Sequence, residues 1–196
     1  MPGNPETGAA SNDNPWHGRK VIVAVTGGIA CYKVPTIVSR LAQGGAEVRV
    51  LMTPAATRFV TPLTFQSLSG HAVLTDPWRD DVEHPESPHI GLARWCDLFI
   101  VAPATADIMA RLAAGLCQDI VSLTASALPR TTPVLLAPAM NEQMWENPIT
   151  QRNVETVRSV LGYNLVGPAE GWQACRMRGA GRMSEPDEIL SAASGI

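Results

Sequence analysis

Three short apolar runs constrain the fold of this 196-residue chain more than anything else in it. They are Val21-Ile22-Val23-Ala24-Val25, Leu98-Phe99-Ile100-Val101-Ala102 and Val134-Leu135-Leu136-Ala137. None alternates apolar with polar residues. A strand that is apolar at every position is buried on both faces, as in a parallel sheet covered by helices on both sides. The first run ends at Thr26-Gly27-Gly28, and each of the others at an Ala-Pro-Ala triplet. In an open parallel sheet, ligands bind beyond the carboxyl ends of the strands. The two Ala-Pro-Ala copies, followed by Thr105-Ala106-Asp107 and by Met140-Asn141, therefore predict two walls of one pocket. Asn141 stands where a helix begins.

Read in order, the chain alternates strands and helices. After the glycine turn, a helical pattern runs over 31–41, with regular helix starting near Pro35, because proline fits a first turn. Gly44-Gly45 stops it. The second strand covers 47–51. Thr53-Pro54 and Thr61-Pro62 each read as an N-cap and the first residue of a helix. A short strand is expected at 72–74 and an exposed acidic loop at 76–88. Helices are expected at 89–95, 104–114, 119–127 and 148–161, and a last strand at 164–166. Residues 167–183, glycine-bearing and without periodicity, read as a long loop before a closing helix at Glu185-Pro186. The architecture that satisfies this order is a doubly wound α/β sheet, mostly parallel, with helices on both faces. Residues 1–18 are rich in Pro, Gly and Asn and read as a disordered leader, and 19–196 as a single domain.

Composition narrows the function classes. The chain is 45% hydrophobic and 17% charged, with a formal net charge of −3 and no basic stripe. Nucleic acid and anionic membranes are therefore poor partners. Cys31, Cys96, Cys117 and Cys175 are far apart and none forms C-x-x-C. That spacing suits reduced thiols in a cytoplasmic protein and offers no metal site. No apolar run reaches membrane-spanning length.

The strand ends suggest a ligand. Gly27-Gly28 lets main-chain N–H groups approach a phosphate, and a helix N-terminus adds positive potential. The same glycines also serve a plain tight turn. The dinucleotide pattern G-x-G-x-x-G is absent, as is the P-loop pattern, and the second strand ends Met52-Thr53 without an acid for an adenosine ribose. A mononucleotide needs only one phosphate site. Thr26, Thr53 and Thr105 either present hydroxyls to it or merely cap helices.

Six stretches, in order, resemble one known family, the homo-oligomeric flavin-containing cysteine decarboxylases. They are Val25 to Lys33, Phe59 to Gln66, His89 to Trp95, Ala102 to Asp107, Ala137 to Trp145, and Ala174-Cys175 with Gly179-Ala180-Gly181-Arg182-Met183. The resemblance covers 20–189. It implies a flavodoxin-like, Rossmann-like three-layer fold, FMN as cofactor, and trimers or dodecamers with the site at a subunit boundary. It also implies decarboxylation of a cysteine carboxylate, as in the phosphopantothenoylcysteine step of coenzyme A biosynthesis. Catalytic roles fall on His89, on Asn141 as carboxylate holder, and on Cys175 as proton donor. Flavin contacts fall on Gly27, Gly28, Ile29, Thr53, Thr105, Ala106, Asp107, Ile108 and Ala139. Substrate contacts fall on Asn141, Met144, Ala174 and Cys175. No metal is implied. His89 also reads as a simple helix start, and Asn141 as a simple N-cap.

The chain departs from the family where Ala174-Cys175 is followed by Arg176-Met177 instead of Gly-Asp. Three alternatives stay open on sequence. One is a peptidyl-cysteine decarboxylase acting oxidatively on the C-terminal cysteine of a ribosomal precursor peptide. Another is a flavin prenyltransferase, which His89, Asn141 and Cys175 together fit poorly. The third is a non-catalytic flavin-binding subunit.

Overall fold

The computed structural model describes residues 14–78, 87–172, 174 and 176–196. Five strands, β1 (Lys20–Val25), β2 (Glu47–Met52), β3 (Leu98–Ala104), β4 (Val134–Pro138) and β5 (Asn164–Leu165), form one sheet. Its order is β2-β1-β3-β4-β5, and every neighbouring pair is parallel. The order reverses between β1 and β3, which opens a crevice at their carboxyl ends. The helices are α1 (Val34–Gln43), α2 (Pro62–Ser69), α3 (Pro88–Trp95), α4 (Ala106–Ala114), α5 (Ile120–Ala127), α6 (Glu142–Glu146), α7 (Pro148–Ser159) and α8 (Pro186–Ser194).

The continuous apolar runs are continuous because each strand feeds two cores. Val21, Val23, Val25, Leu98, Ile100, Leu135 and Ala137 pack with Ile37, Leu41, Phe65 and Ile189 from α1, α2 and α8. Ile22, Ala24, Phe99, Val101 and Leu136 pack with Met109, Ile120 and Val157 from α4, α5 and α7. One irregularity interrupts the sheet. Between the pairs Val101–Leu136 and Ala104–Pro138, three steps along β3 match two along β4. This is a β-bulge.

Several expectations change in detail. A 3-10 segment, Ile29–Lys33, precedes α1, whose first turn holds Pro35. Thr53-Pro54 opens only a short 3-10 turn, Ala56–Arg58, since Thr61-Pro62 starts the next helix a few residues later. The expected strand at 72–74 shrinks to a single bridge, Leu51 to Leu74. Most of the acidic loop, residues 79–86, lies outside the described residues.

The largest difference is at 167–183. In place of a loop, β6 (Ala169–Trp172) and β7 (Arg178–Arg182) pair as an antiparallel hairpin. Within the segment assigned to the leader, one side chain is packed. Trp16 is 8% exposed and lies against Gly44, where an added Cβ would come 2.8 Å from the indole.

Candidate functional site

A cavity of about 1020 Å³ opens at the β1/β3/β4 ends. That is large against the roughly 300–1,000 Å³ of small-molecule sites, and leaves room for a cofactor beside a substrate. One wall is made by strand ends: Gly27, Gly28 and Ile29 after β1, Thr105 to Asp107 after β3, and Ala139 to Asn141 after β4. The other is made by the hairpin and what anchors it, with Trp172, Ala174, Arg176, Arg182, Lys33 and Glu185 among its residues.

The strand-end wall is main chain fixed by the core. A Cβ on Gly27 would lie 2.4 Å from Ala55 Cβ, so only glycine lets the turn sit there. Gly28 faces Thr105, whose Cγ2 is 3.3 Å from the position a Cβ would take. Thr26 is 2% exposed, and its hydroxyl donates to the Pro103 carbonyl at 2.5 Å, tying the first turn to the second. Thr105 caps α4, its Oγ1 accepting from the Ile108 N–H at 3.4 Å. The first N–H groups of the 3-10 segment and of α4 lack intrahelical partners, as at any helix start, and both starts lie on the cavity.

Asn141 is the N-cap of α6. The Met144 N–H donates to its Oδ1 at 2.8 Å. A backbone N–H requires an acceptor, so this bond assigns the amide orientation: oxygen toward the helix, NH2 left over. Asn141 lines the cavity, and no protein group among the described residues takes that NH2.

The hairpin is docked at its base. The Met140 N–H donates to the Gly181 carbonyl at 2.9 Å, and the Ala180 N–H to Glu142 Oε1 at 3.2 Å. A Cβ on Gly181, at φ +127°, would lie 2.3 Å from the Met140 carbonyl oxygen. Glu185 Oε1 accepts from Lys33 Nζ at 2.8 Å and Arg182 Nη1 at 2.9 Å. The Lys33 hydrogen bond, more than any other influence, holds the Glu185 carboxyl below the ordinary carboxylate range.

Of the residues singled out from sequence, Gly27, Gly28, Ile29, Thr105, Ala106, Asp107, Ala139, Asn141, Met144 and Ala174 line the cavity. Thr53 and Ile108 do not. Thr53 is buried with its hydroxyl receiving the Ala56 N–H at 3.3 Å, and Ile108 is a core side chain of α4. Thr26 is likewise occupied internally. His89 sits in the first turn of α3, half-buried and away from the cavity lining of its own chain. Cys175 lies outside the described residues. Sequence reasoning missed Tyr32, Lys33, Trp172, Arg182 and Glu185 as cavity residues. The only signal for the last two was their place in the stretch from Gly179 to Pro186. Among the described residues, no three His, Cys, Asp or Glu side chains cluster as a metal site.

The site fits FMN on its own terms. The glycine turn that no Cβ would fit, the two helix starts and the Thr105 hydroxyl suit a phosphate and a polyol. Ile29, Ala139, Met140, Met144 and Trp172 supply apolar surface for a ring.

Comparison with known proteins agrees with this geometry. The chain is 47% identical over 181 residues to the coenzyme A biosynthesis bifunctional protein CoaBC of Haemophilus influenzae, covering 91% of this chain and 44% of that protein. It thus spans less than half the length of that relative. A structure of a PPC decarboxylase mutant complexed with pantothenoylaminoethenethiol superposes with a TM-score of 0.79 at 30% identity, covering 90% of this chain and 96% of that one. The FMN-dependent cysteine decarboxylase SpaF gives a TM-score of 0.78 at 29% identity, covering 91% and 97%. The Flavoprotein family model matches residues 9–195, and the chain belongs to that family.

Proposed function

We propose that this chain catalyses the FMN-dependent decarboxylation of a cysteine carboxylate, with phosphopantothenoylcysteine as its substrate. The observation that carries the reading is Asn141. Its oxygen is locked into the α6 cap, and its NH2 stands on the cavity wall next to Ala139. The similarity to CoaBC and to the decarboxylase complexed with pantothenoylaminoethenethiol supports this substrate.

FMN, held at the glycine turn, the two helix starts and Thr105, would supply a two-electron couple: oxidation of the substrate thiol to a thioaldehyde would place the carboxylate β to a C=S bond, and the same two electrons would reduce the enethiol left after loss of carbon dioxide. The protein's part is orientation and proton control. The Asn141 NH2 holds the carboxylate with neutral donors. A buried cation would stabilise that carboxylate more than the uncharged carbon dioxide forming from it, and would raise the barrier. Cys175, next to Ala174 in the sequence, delivers the proton to the enethiol carbon. His89 orients the substrate or moves a proton.

His89 comes to this cavity from a second copy of the chain, in a homotrimer or in a homododecamer assembled from trimers. Large apolar residues at the cavity support such a cover, with Ile29 at 57% and Tyr32 at 64% exposure. A cytoplasmic location suits free Cys31, Cys96 and Cys117, and no described helix is long and apolar enough to cross a membrane.

The test is mass spectrometry of products from phosphopantothenoylcysteine and from a peptide ending in cysteine, with protein reconstituted with FMN. Phosphopantetheine from the first substrate is the expected result. An enethiol from the peptide alone would assign the peptidyl-cysteine reading, and protein that takes up no FMN would overturn both. Mixing inactive His89→Asn and Asn141→Asp proteins should restore part of the activity if subunits share the site.

A further inference from the structure

The two walls of the cavity carry different charge, and the difference points to a second anion besides the one at the glycine turn. On the strand-end side the charged residue is Asp107, whose carboxylate is already bound by Arg111 at 2.8 Å. The hairpin side holds Lys33, Arg176 and Arg182 against Glu185. Lys33 and Arg182 both reach the same Glu185 oxygen, so one carboxylate serves two cations. Arg182 Nε is buried without a hydrogen-bond partner among the described residues. It lies beneath Gly171, where a Cβ would come 2.8 Å from it. Arg176 has no ion-pair partner among the described residues. It stands at the hairpin turn in the left-handed region, at φ 63°. A side chain other than Gly, Asn or Asp in that region is uncommon and strained, so the position is occupied at a cost that a guanidinium on the cavity offsets.

We propose that this cationic hairpin face, with Arg176 as the guanidinium unpaired among the described residues, binds the distal phosphate of the substrate. The proposal rests on the decarboxylase reading above and names the residue that selects a phosphorylated substrate over an uncharged one. The chemistry separates the two anionic ends of one molecule. The carboxylate that must leave meets the neutral Asn141 amide. The phosphate that stays bound meets a planar guanidinium, which pairs with phosphate oxygens through two parallel N–H donors. A phosphate there would also draw on the excess charge of the Lys33–Glu185–Arg182 group.

The test compares phosphopantothenoylcysteine with pantothenoylcysteine, on FMN-loaded protein. Arg176→Gln removes the charge and keeps a side chain; Arg176→Gly removes it and relaxes the backbone; Arg176→Lys keeps it. The ratio of KM for the unphosphorylated substrate to KM for the phosphorylated one should fall about tenfold in the Gln and Gly variants. It should be partly kept with Lys, and should fall in wild type as salt is raised. An unchanged ratio in active Gln and Gly variants would overturn the proposal and leave the decarboxylase reading standing. Loss of FMN from these variants would assign the cation to the cofactor's phosphate and overturn it too. Wild-type turnover of peptide alone would remove the decarboxylase reading for this substrate, and the proposal with it.

Discussion

The strand-end wall of the cavity is main chain held by the core, whereas the hairpin wall is side chains held by charge, by one main-chain hydrogen bond and by a bond to the Glu142 carboxylate. Gly27, Thr105 and Ala139 follow strands that are buried throughout apart from Lys20 at the start of β1. The hairpin forms its own two-stranded sheet and meets the rest through Met140, Glu142, Lys33 and Glu185. Elements with few buried apolar contacts open at lower free energy than the core. The strand-end wall is thus tied to global stability, and the hairpin wall opens at lower free energy.

Substitutions test that contrast, beginning with the largest effect. Asn141→Asp should cut turnover roughly 100-fold, the scale of losing one aligned donor in an active site. Aspartate caps a helix as well as asparagine does. FMN content, read from the visible spectrum, and the melting temperature should therefore stay near wild type. Normal turnover would remove Asn141 from the chemistry.

Two glycine substitutions should then separate the walls. Gly181→Ala drives a Cβ into the Met140 carbonyl. It should lower turnover about tenfold through misplacement of the hairpin, with the melting temperature nearly unchanged. Gly27→Ala meets Ala55 in the packed turn. It should cost about 1–3 kcal/mol by overpacking and release FMN. Equal melting temperatures in the two variants would abolish the distinction.

Thr26→Val leaves the buried Pro103 carbonyl without its donor. It should cost about 1–3 kcal/mol in denaturant unfolding. A neutral result would show that the two strand turns need no tie.

The smallest effect belongs to Glu185. Its carboxyl is held low in the folded protein, so the contribution is present at neutral pH and is lost as pH falls through the depressed carboxylate range. Hydrogen exchange at 178–185 should rise over that acid window, and Glu185→Gln should remove the step. The carboxylate is partly exposed, so salt should also weaken it.

Much of this was legible in the sequence, for reasons that particular residues make plain. Strands apolar at every position announced a sheet buried on both faces. The Ala-Pro-Ala ends announced the cavity but not its walls: both lie on the strand-end wall, and the hairpin makes the other. Asn141 and Thr105 were readable as helix caps directly after strands, and that position puts both on the cavity. The hairpin was not. Arg178-Gly179-Ala180-Gly181-Arg182 has no β-branched or aromatic residue and no alternation. It is a strand because its glycines allow close approach to Met140 and Glu142, which are distant in sequence. Lys33 and Glu185 were missed for a similar reason, since their pairing spans 152 positions. Trp16 looked like part of a polar leader because its pocket is built by Gly44 and by residues at the far end of the chain, such as Leu190.

The bulge in β3 turns counting into placement. Leu98, Ile100 and Ala102 face one core and Phe99 and Val101 the other; by alternation Ala104 should rejoin the first, yet it lies in the second. One additional residue has inverted odd and even. Thr105 is thereby delivered beside Thr26 and Gly28, where its hydroxyl lies 3.2 Å from that of Thr26. The number of residues between Val101 and Thr105, more than their identity, decides whether this threonine faces a ligand or a helix. A family that kept every residue type here but lost one position would keep its sheet and lose its site.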